Sequence, residues 1–194
     1  MAKIDFKPGN MLYPLPVVMV TCEGSDGKPN IITIGWTGTI NSDPAMVSIS
    51  VRKSRYSYDL IKESGEFCVN LTTRDLAYAT DLCGVKSGRD VDKWKDAHLT
   101  PCPSTVIKAP GIAESPVNIE CKVTYSEDLG THTIFFGKVV AVHADDKYMD
   151  EKGTFHFEDT DPITYSHGKY YTLGEQVGKF GYSVKKNKPD KKAK

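Results

Sequence analysis

Between residues 46 and 52 the chain reads MVSISVR, and its apolar and polar positions alternate. Val47, Ile49 and Val51 fall on one side and Ser48, Ser50 and Arg52 on the other, the period of a half-buried strand. VNIECKVTYSE (117–127) repeats the pattern: Val117, Ile119, Cys121, Val123 and Tyr125 share one face, and Asn118, Glu120, Lys122 and Thr124 the other. HTIFFGKVVAVHA (132–144) is apolar on both sides, which predicts a central strand buried on both faces. VVMVTCEG (17–24) reads as a buried strand and PNIITIGWTGT (29–39) begins another, with the turn residues SDG between them as a hairpin. DLG (128–130) joins the two long strands in the same way, and EFCVNL (66–71) adds one more.

Two stretches switch to helical spacing. SYDLIKESG predicts a short helix with Ser57 as N-cap, Asp59 in the first turn and Gly65 at its end. TRDLAYATDLCG (73–84) predicts a second, ending at Gly84. Strands at hairpin spacing dominate. The fold class expected is therefore mainly β: an antiparallel β-barrel with a few short helices, not a doubly wound parallel sheet.

Composition narrows this picture. The 194 residues, 39% hydrophobic and 26% charged, suit one ordinary folded domain, expected over residues 1–184. Charge is zero overall but uneven. The final ten residues, KKNKPDKKAK, carry a net +5 and leave −5 on the rest, so 185–194 is expected to be a disordered Lys-rich tail. A mildly acidic body argues against nucleic acid as a partner. No apolar run reaches the ~20 residues of a membrane span, and MAKIDFKPGN has no apolar leader core, which together point to a cytoplasmic protein. Five cysteines, at 22, 68, 83, 102 and 121, show no C-x-x-C pair, and five scattered histidines form no motif, so no metal site is expected. Cys22, Cys68 and Cys121 sit in strand-like runs as small core residues.

The candidate chemistry lies at SVRKSRYSYDLIKESG (50–65). Arg52, Lys53 and Arg55 fall within four positions between a strand and a helix. A helix N-terminus offers free N–H groups, and arginine offers forked donors, so the junction suits a phosphate. A solvated basic turn is the plain alternative. Gly35 and Gly38 flank Trp36 and Thr37 at a strand end, where a flat ligand can approach the backbone, or where a bulge simply sits beside a core Trp. CGVKSGRDVDKW (83–94) is a third, basic, turn-rich loop. No P-loop or Rossmann motif explains any of these.

Taken in order, YPLPVVMVTC, PNIITIGWTGTINSDPAMVSISVRKSRYSYDLIKESGEFCVNL, CGVKSGRDVDKW, SPVNIECKV and KYYTLGEQVGKFGYS resemble the flavin reductase-like family, and within it the flavoredoxins. The resemblance implies an FMN-binding split β-barrel. It implies that Ser50, Arg52, Arg55, Ser57 and Tyr58 surround the FMN phosphate and ribityl chain. Trp36, Thr37, Gly38 and Thr39 would lie along the isoalloxazine ring. Ser87, Gly88 and Lys93 would close over it, with Lys93 near the edge where reduced flavin carries charge, and Tyr170 and Tyr171 would wall the site. It further implies a homodimer, and electrons supplied by NAD(P)H or by a redox partner protein. With the chemistry on the flavin, no catalytic side chain is required. An FMN-dependent NAD(P)H oxidoreductase passing electrons to flavin or another acceptor is expected. The alternative is a non-enzymatic electron-transfer protein.

Overall fold

The computed structural model describes residues 1–184, so the Lys-rich tail lies outside the described residues. In chain order the strands are β1 Leu15–Pro16, β2 Val18–Glu23, β3 Pro29–Ile34, β4 Thr37–Ser42, β5 Ala45–Arg52, β6 Glu66–Leu71, β7 Pro101–Cys102, β8 Gly111–Ile112, β9 Val117–Asp128, β10 His132–Ala144, β11 Ile163–Ser166 and β12 Lys169–Thr172. The helices are α1 Tyr56–Ser64, α2 Ala77–Val85 and α3 Lys93–Asp96.

Seven strands form one antiparallel sheet in the order β3-β2-β6-β9-β10-β5-β4. Its inner face carries Val20, Ile32, Ile49, Val51, Phe67, Cys121 and Phe135, and Leu60 and Ile61 of α1 pack onto the same core. β3 and β4 are the sheet's two edges, joined directly through Gly35 and Trp36. The two edges do not pair with each other. Ser50 N–H instead donates to Trp36 C=O at 2.9 Å, and Val51 and Arg52 run on beyond the reach of β4. The barrel is therefore split between β3 and the end of β5. A second core, built on Met19, Ile31, Leu76, Ala79 and Leu99, seats α2 against the outside of β2 and β3.

Several local expectations are corrected. The predicted 29–39 strand breaks at Gly35–Trp36, which is what separates the two edges. The N-cap of α1 is Arg55, with extended backbone, and Ser57 is buried inside the first turn. The second helix starts at Ala77, after a turn in which Leu76 and Ala77 N–H donate to Thr73 and Arg74 C=O; Gly84 lies inside it, against Thr33. β10 is central in order but buried on one face only. Thr133, Phe135 and Gly137 are buried, whereas Val142 is 57% exposed. Conversely, the polar face of β9 is not all solvated: Asn118 and Glu120 are buried under the 103–112 segment.

Glu120 shows why. Its carboxylate accepts from the N–H groups of Thr105 (2.6 Å), Val106 (2.8 Å) and Ile107 (3.1 Å), from the Thr105 hydroxyl, and faces His143 Nε2 at 2.6 Å. Burial alone would raise its pKa, but these hydrogen bonds, the Thr105 N–H and His143 foremost, outweigh burial and hold it at about 2. All five cysteines are free thiols, and Cys22, Cys68, Cys83 and Cys121 are buried. Burial pushes the Cys22 and Cys121 thiols up to about 12 and Cys83 to about 11, which makes them inert packing groups.

Candidate functional site

The split in the barrel is a cleft. Its main cavity, about 400 Å³, runs between Ile32–Ile34 of β3 and Ser50–Arg52 of β5, with Asp81 and Val85 of α2 on one wall. A neighbouring cavity of about 600 Å³ shares Leu15, Gly35, Trp36 and Ser50 with it and extends past Thr37 and Gly38 to the N-terminal segment 9–13. At the other end Ile32 and Arg55 lead into a small polar pocket of about 110 Å³. Asn30, Ser57, Ser87, Gly88 and Lys93 line that pocket. The three together make a trough of the size and chemistry of a cofactor site: wide and mostly apolar at one end, narrow and cationic at the other.

Each end follows from its sequence. The Trp36 indole is 41% exposed and lies 4.4 Å from the His132 ring, tilted by 36° to it, at the cleft mouth. Gly35 packs beside Leu15, and nothing lies within 4 Å of where a Cβ on Gly38 would be, so the backbone there is open to a ligand. Thr37 spends its hydroxyl on Ser48 C=O at 2.7 Å. At the narrow end the Tyr56 and Ser57 N–H groups, first in α1, have no backbone acceptor among the described residues. The guanidinium groups of Arg52 and Arg55 make no ion pair or side-chain hydrogen bond among the described residues. Of these unspent donors, Arg55 and the start of α1 line the polar pocket and suit an anion, whereas Arg52 lines the wider cavity beside His132 and not the polar pocket. The third cation, Lys53, points elsewhere, at Asp128 (2.5 Å).

Ten of the twelve expected residues line this trough: Trp36, Thr37, Gly38, Ser50, Arg52, Arg55, Ser57, Ser87, Gly88 and Lys93. Two do not. Thr39 lies exposed on β4 opposite Val47. Tyr58 packs on the barrel core, 5.9 Å from the Phe135 ring; Tyr56 also touches that core, but it is Tyr56 that lines the polar pocket. Ser57 contributes less directly than a cap would, because its hydroxyl already accepts from Asn30 Nδ2 at 2.7 Å. Lys93 is buried and donates to Ile31 C=O (2.7 Å) and Cys83 C=O (2.8 Å). Burial lowers its pKa. It lines the polar pocket rather than the ring-sized cleft, and two of its three donors tie β3 to α2. Gly88 is required by space, since a Cβ would collide with the Asn30 amide and come within 3.1 Å of Tyr56.

Sequence reasoning missed Asn30, Asp81, His132 and Tyr165. Tyr170 does wall the main cavity, donating to Asp81 at 3.1 Å, and burial raises its pKa to about 12. Tyr171 points away and is half exposed. Tyr165 reaches the cleft because β11 pairs with β1, placing it opposite Leu15.

A flavin reductase-like domain model matches residues 10–174, and the chain belongs to that family. The structure is similar to the flavoredoxin of Desulfovibrio vulgaris (Miyazaki F), with a TM-score of 0.88 and 30% identity over 95% of this chain and 100% of that one. Its likeness to the flavoredoxin of Methanosarcina acetivorans is close behind: TM-score 0.85, 29% identity, the same coverage. In sequence it is 33% identical to an uncharacterised protein of Archaeoglobus fulgidus over 76% of this chain and 82% of the relative. The fold is the split barrel of flavin reductase-like proteins, and the class is that of flavin-binding redox proteins.

Proposed function

We propose that this chain is an FMN-dependent oxidoreductase that takes electrons from NAD(P)H and passes them to free flavin or another acceptor. The observation that carries the reading is the trough itself, a flat-walled slot at Trp36 continuous with a pocket of unspent donors at Arg55 and the start of α1. An aromatic ring system and a phosphate, joined by a short polyol, match the two ends and the spacer between them. The residues present fit the group. Gly35 and Gly38 leave room for a ring against the backbone, and Arg55 with the α1 N–H groups would hold a phosphate. When bound, FMN supplies reversible two-electron chemistry. The protein's share is to bind, orient and shield it. Trp36 and Tyr165 wall the slot, and the Tyr170–Asp81 pair stiffens its α2 side. No side chain of the trough needs to move a proton for hydride to arrive from a nicotinamide.

A cytoplasmic setting suits five unpaired cysteines. No helix among the described residues is long and apolar enough to cross a membrane. Reduction by a protein partner instead of NAD(P)H is the competing reading, because both need the same flavin site. The deciding experiment is an absorption spectrum of the purified protein, repeated anaerobically with NADH and then NADPH. Flavin bands that bleach with either nucleotide are expected. Bands that persist favour the electron carrier, and a colourless protein that takes up no FMN overturns the flavin reading. The phosphate end has its own test. Arg55→Ala should weaken FMN about tenfold or more and leave riboflavin nearly unchanged, because a charged hydrogen bond is worth about 1.5–3 kcal/mol. Equal losses for both would show that Arg55 does not face the phosphate.

A further inference from the structure

A separate cavity of about 530 Å³ opens at the N-terminal end of α2 and shares no residue with the trough. The turn into α2, residues 97–99 after α3, and Lys147, Tyr148 and Asp161 wall it. α2 begins without a cap: its N-cap position is Leu76, which offers no side-chain acceptor, and its first turn holds no acidic residue. The Tyr78 and Ala79 N–H groups have no acceptor among the described residues. Such a helix start favours an anion, although water alone could serve it. Thr73 is the second, independent observation. It is 8% exposed and lines the cavity, and its hydroxyl has no hydrogen-bond partner among the described residues. Among those residues only Thr133 has an unpaired oxygen sealed from solvent, so the Thr73 hydroxyl opens into the cavity. Arg74 supplies the charge. Its Nε–H donates to Asp161, which leaves both Nη groups unpaired among the described residues.

The carboxylates of the cavity decide which anion fits. Glu114 is spent on the Thr100 N–H, which its two oxygens accept at 3.1 and 3.0 Å, and Asp161 is spent on Arg74. Lys147 is likewise spent, on Asp145 at 2.9 Å. Asp75 makes no ion pair among the described residues and would repel a second negative charge, which selects a monoanion over phosphate. Tyr78, 66% exposed, and Tyr148 add aromatic surface. A cavity of this volume takes an organic molecule rather than a bare ion. We propose that it binds a small aromatic monocarboxylate, with the carboxylate on Thr73, Arg74 and the free N–H groups of α2 and the ring against the two tyrosines. The site stands apart from the flavin trough and does not depend on it, although the same helix walls both.

The test is calorimetric titration of the FMN-saturated full chain with benzoate, with its neutral counterpart benzamide, and with inorganic phosphate. One benzoate per chain is expected, with benzamide about tenfold weaker or more, the worth of one charged hydrogen bond. Phosphate should bind more weakly than benzoate. Arg74→Gln should weaken benzoate about tenfold, and Thr73→Val, which keeps the shape of the wall, about threefold. Both variants should keep the wild-type circular dichroism, which shows that they are folded. If Arg74→Gln fails to fold without its Asp161 pair, Thr73→Val decides. No benzoate binding, equal binding of benzamide, tighter binding of phosphate, or unchanged benzoate affinity in the folded variants overturns the proposal. So does benzoate that competes with FMN or is lost in Arg55→Ala, since it would then sit in the trough. A chain that takes up no FMN overturns the flavin reading alone, and the same titrations without FMN then decide this site.

Discussion

At the scale of single residues, the molecule separates groups that carry its site from groups that only occupy space. Gly88 belongs to the first kind. Its neighbours, the Asn30 amide and Tyr56, leave no room for a methyl group. Gly88→Ala should displace Asn30 from Ser57 and narrow the polar pocket, weakening FMN by about an order of magnitude; titration against the wild type would show it. Thr133 belongs to the second kind. Its hydroxyl is buried on the core side of β10 with no hydrogen-bond partner among the described residues. An unsatisfied buried polar group costs about 1–3 kcal/mol. Thr133→Val keeps the shape and removes the orphan, so chemical denaturation should show a protein no less stable, and by as much as about 1 kcal/mol more stable. A clear loss of stability would mean the hydroxyl has a partner, such as ordered water.

At the scale of elements, the Glu120 clamp is the clearest case of a side chain holding a segment. Among the described residues, three successive N–H groups of 105–107 have no other acceptor than this carboxylate, which is fully buried. Its pKa falls from an ordinary 4.5 to about 2 in the folded chain. A depressed carboxylate stabilises the fold fully above its unfolded pKa and loses that contribution as pH falls. The stability of the wild type should therefore decline between about pH 4.5 and 2 by up to about 3 kcal/mol from this group. Glu120→Gln should destabilise the fold at pH 7 by a similar amount and flatten that part of the pH profile. An unchanged profile would show that Glu120 is not the group responsible. The same element explains what could be read in advance. The strands β5 and β9 rest on local patterns and appeared where expected, but their faces only in part: Ser48 is buried beside a half-buried Val47, and Tyr125, on the apolar side of β9, is exposed. The burial of Asn118 and Glu120 was hidden, because it depends on a segment that folds back over an apparently solvent-facing row. The trough divides in the same way. Arg52, Arg55 and Trp36 lie within one continuous stretch of sequence. Tyr165, by contrast, arrives through a pairing between residues 150 apart in sequence, and the choice of Tyr56 over Tyr58 turns on two residues of helix phase.

At the scale of the whole molecule, the single chain leaves too much apolar surface uncovered. Ile4, Phe6, Met11 and Leu12 of the N-terminal segment are each more than 60% exposed, as are Val177 and Phe180 near the other end. Ile40 on edge strand β4 is 44% exposed, and Tyr125 and Leu129 at the β9–β10 turn are 56% and 63% exposed. Ile4, Phe6, Met11 and Leu12 fall within one short segment, and a concentration of this kind suits an interface. A second copy of the chain is the proposed partner, because the N-terminal segment also lines the wide end of the trough and would be fixed there by a neighbour. Sedimentation velocity at micromolar concentration should therefore give the mass of two chains. Ile40→Glu, which places a charge on the edge strand at little cost to the barrel, should shift the equilibrium to single chains. Flavin affinity should fall with it, because the wall at residues 9–13 would lose its support. A wild type that sediments as one chain at every concentration, with full flavin affinity, would show that the trough is complete without a partner.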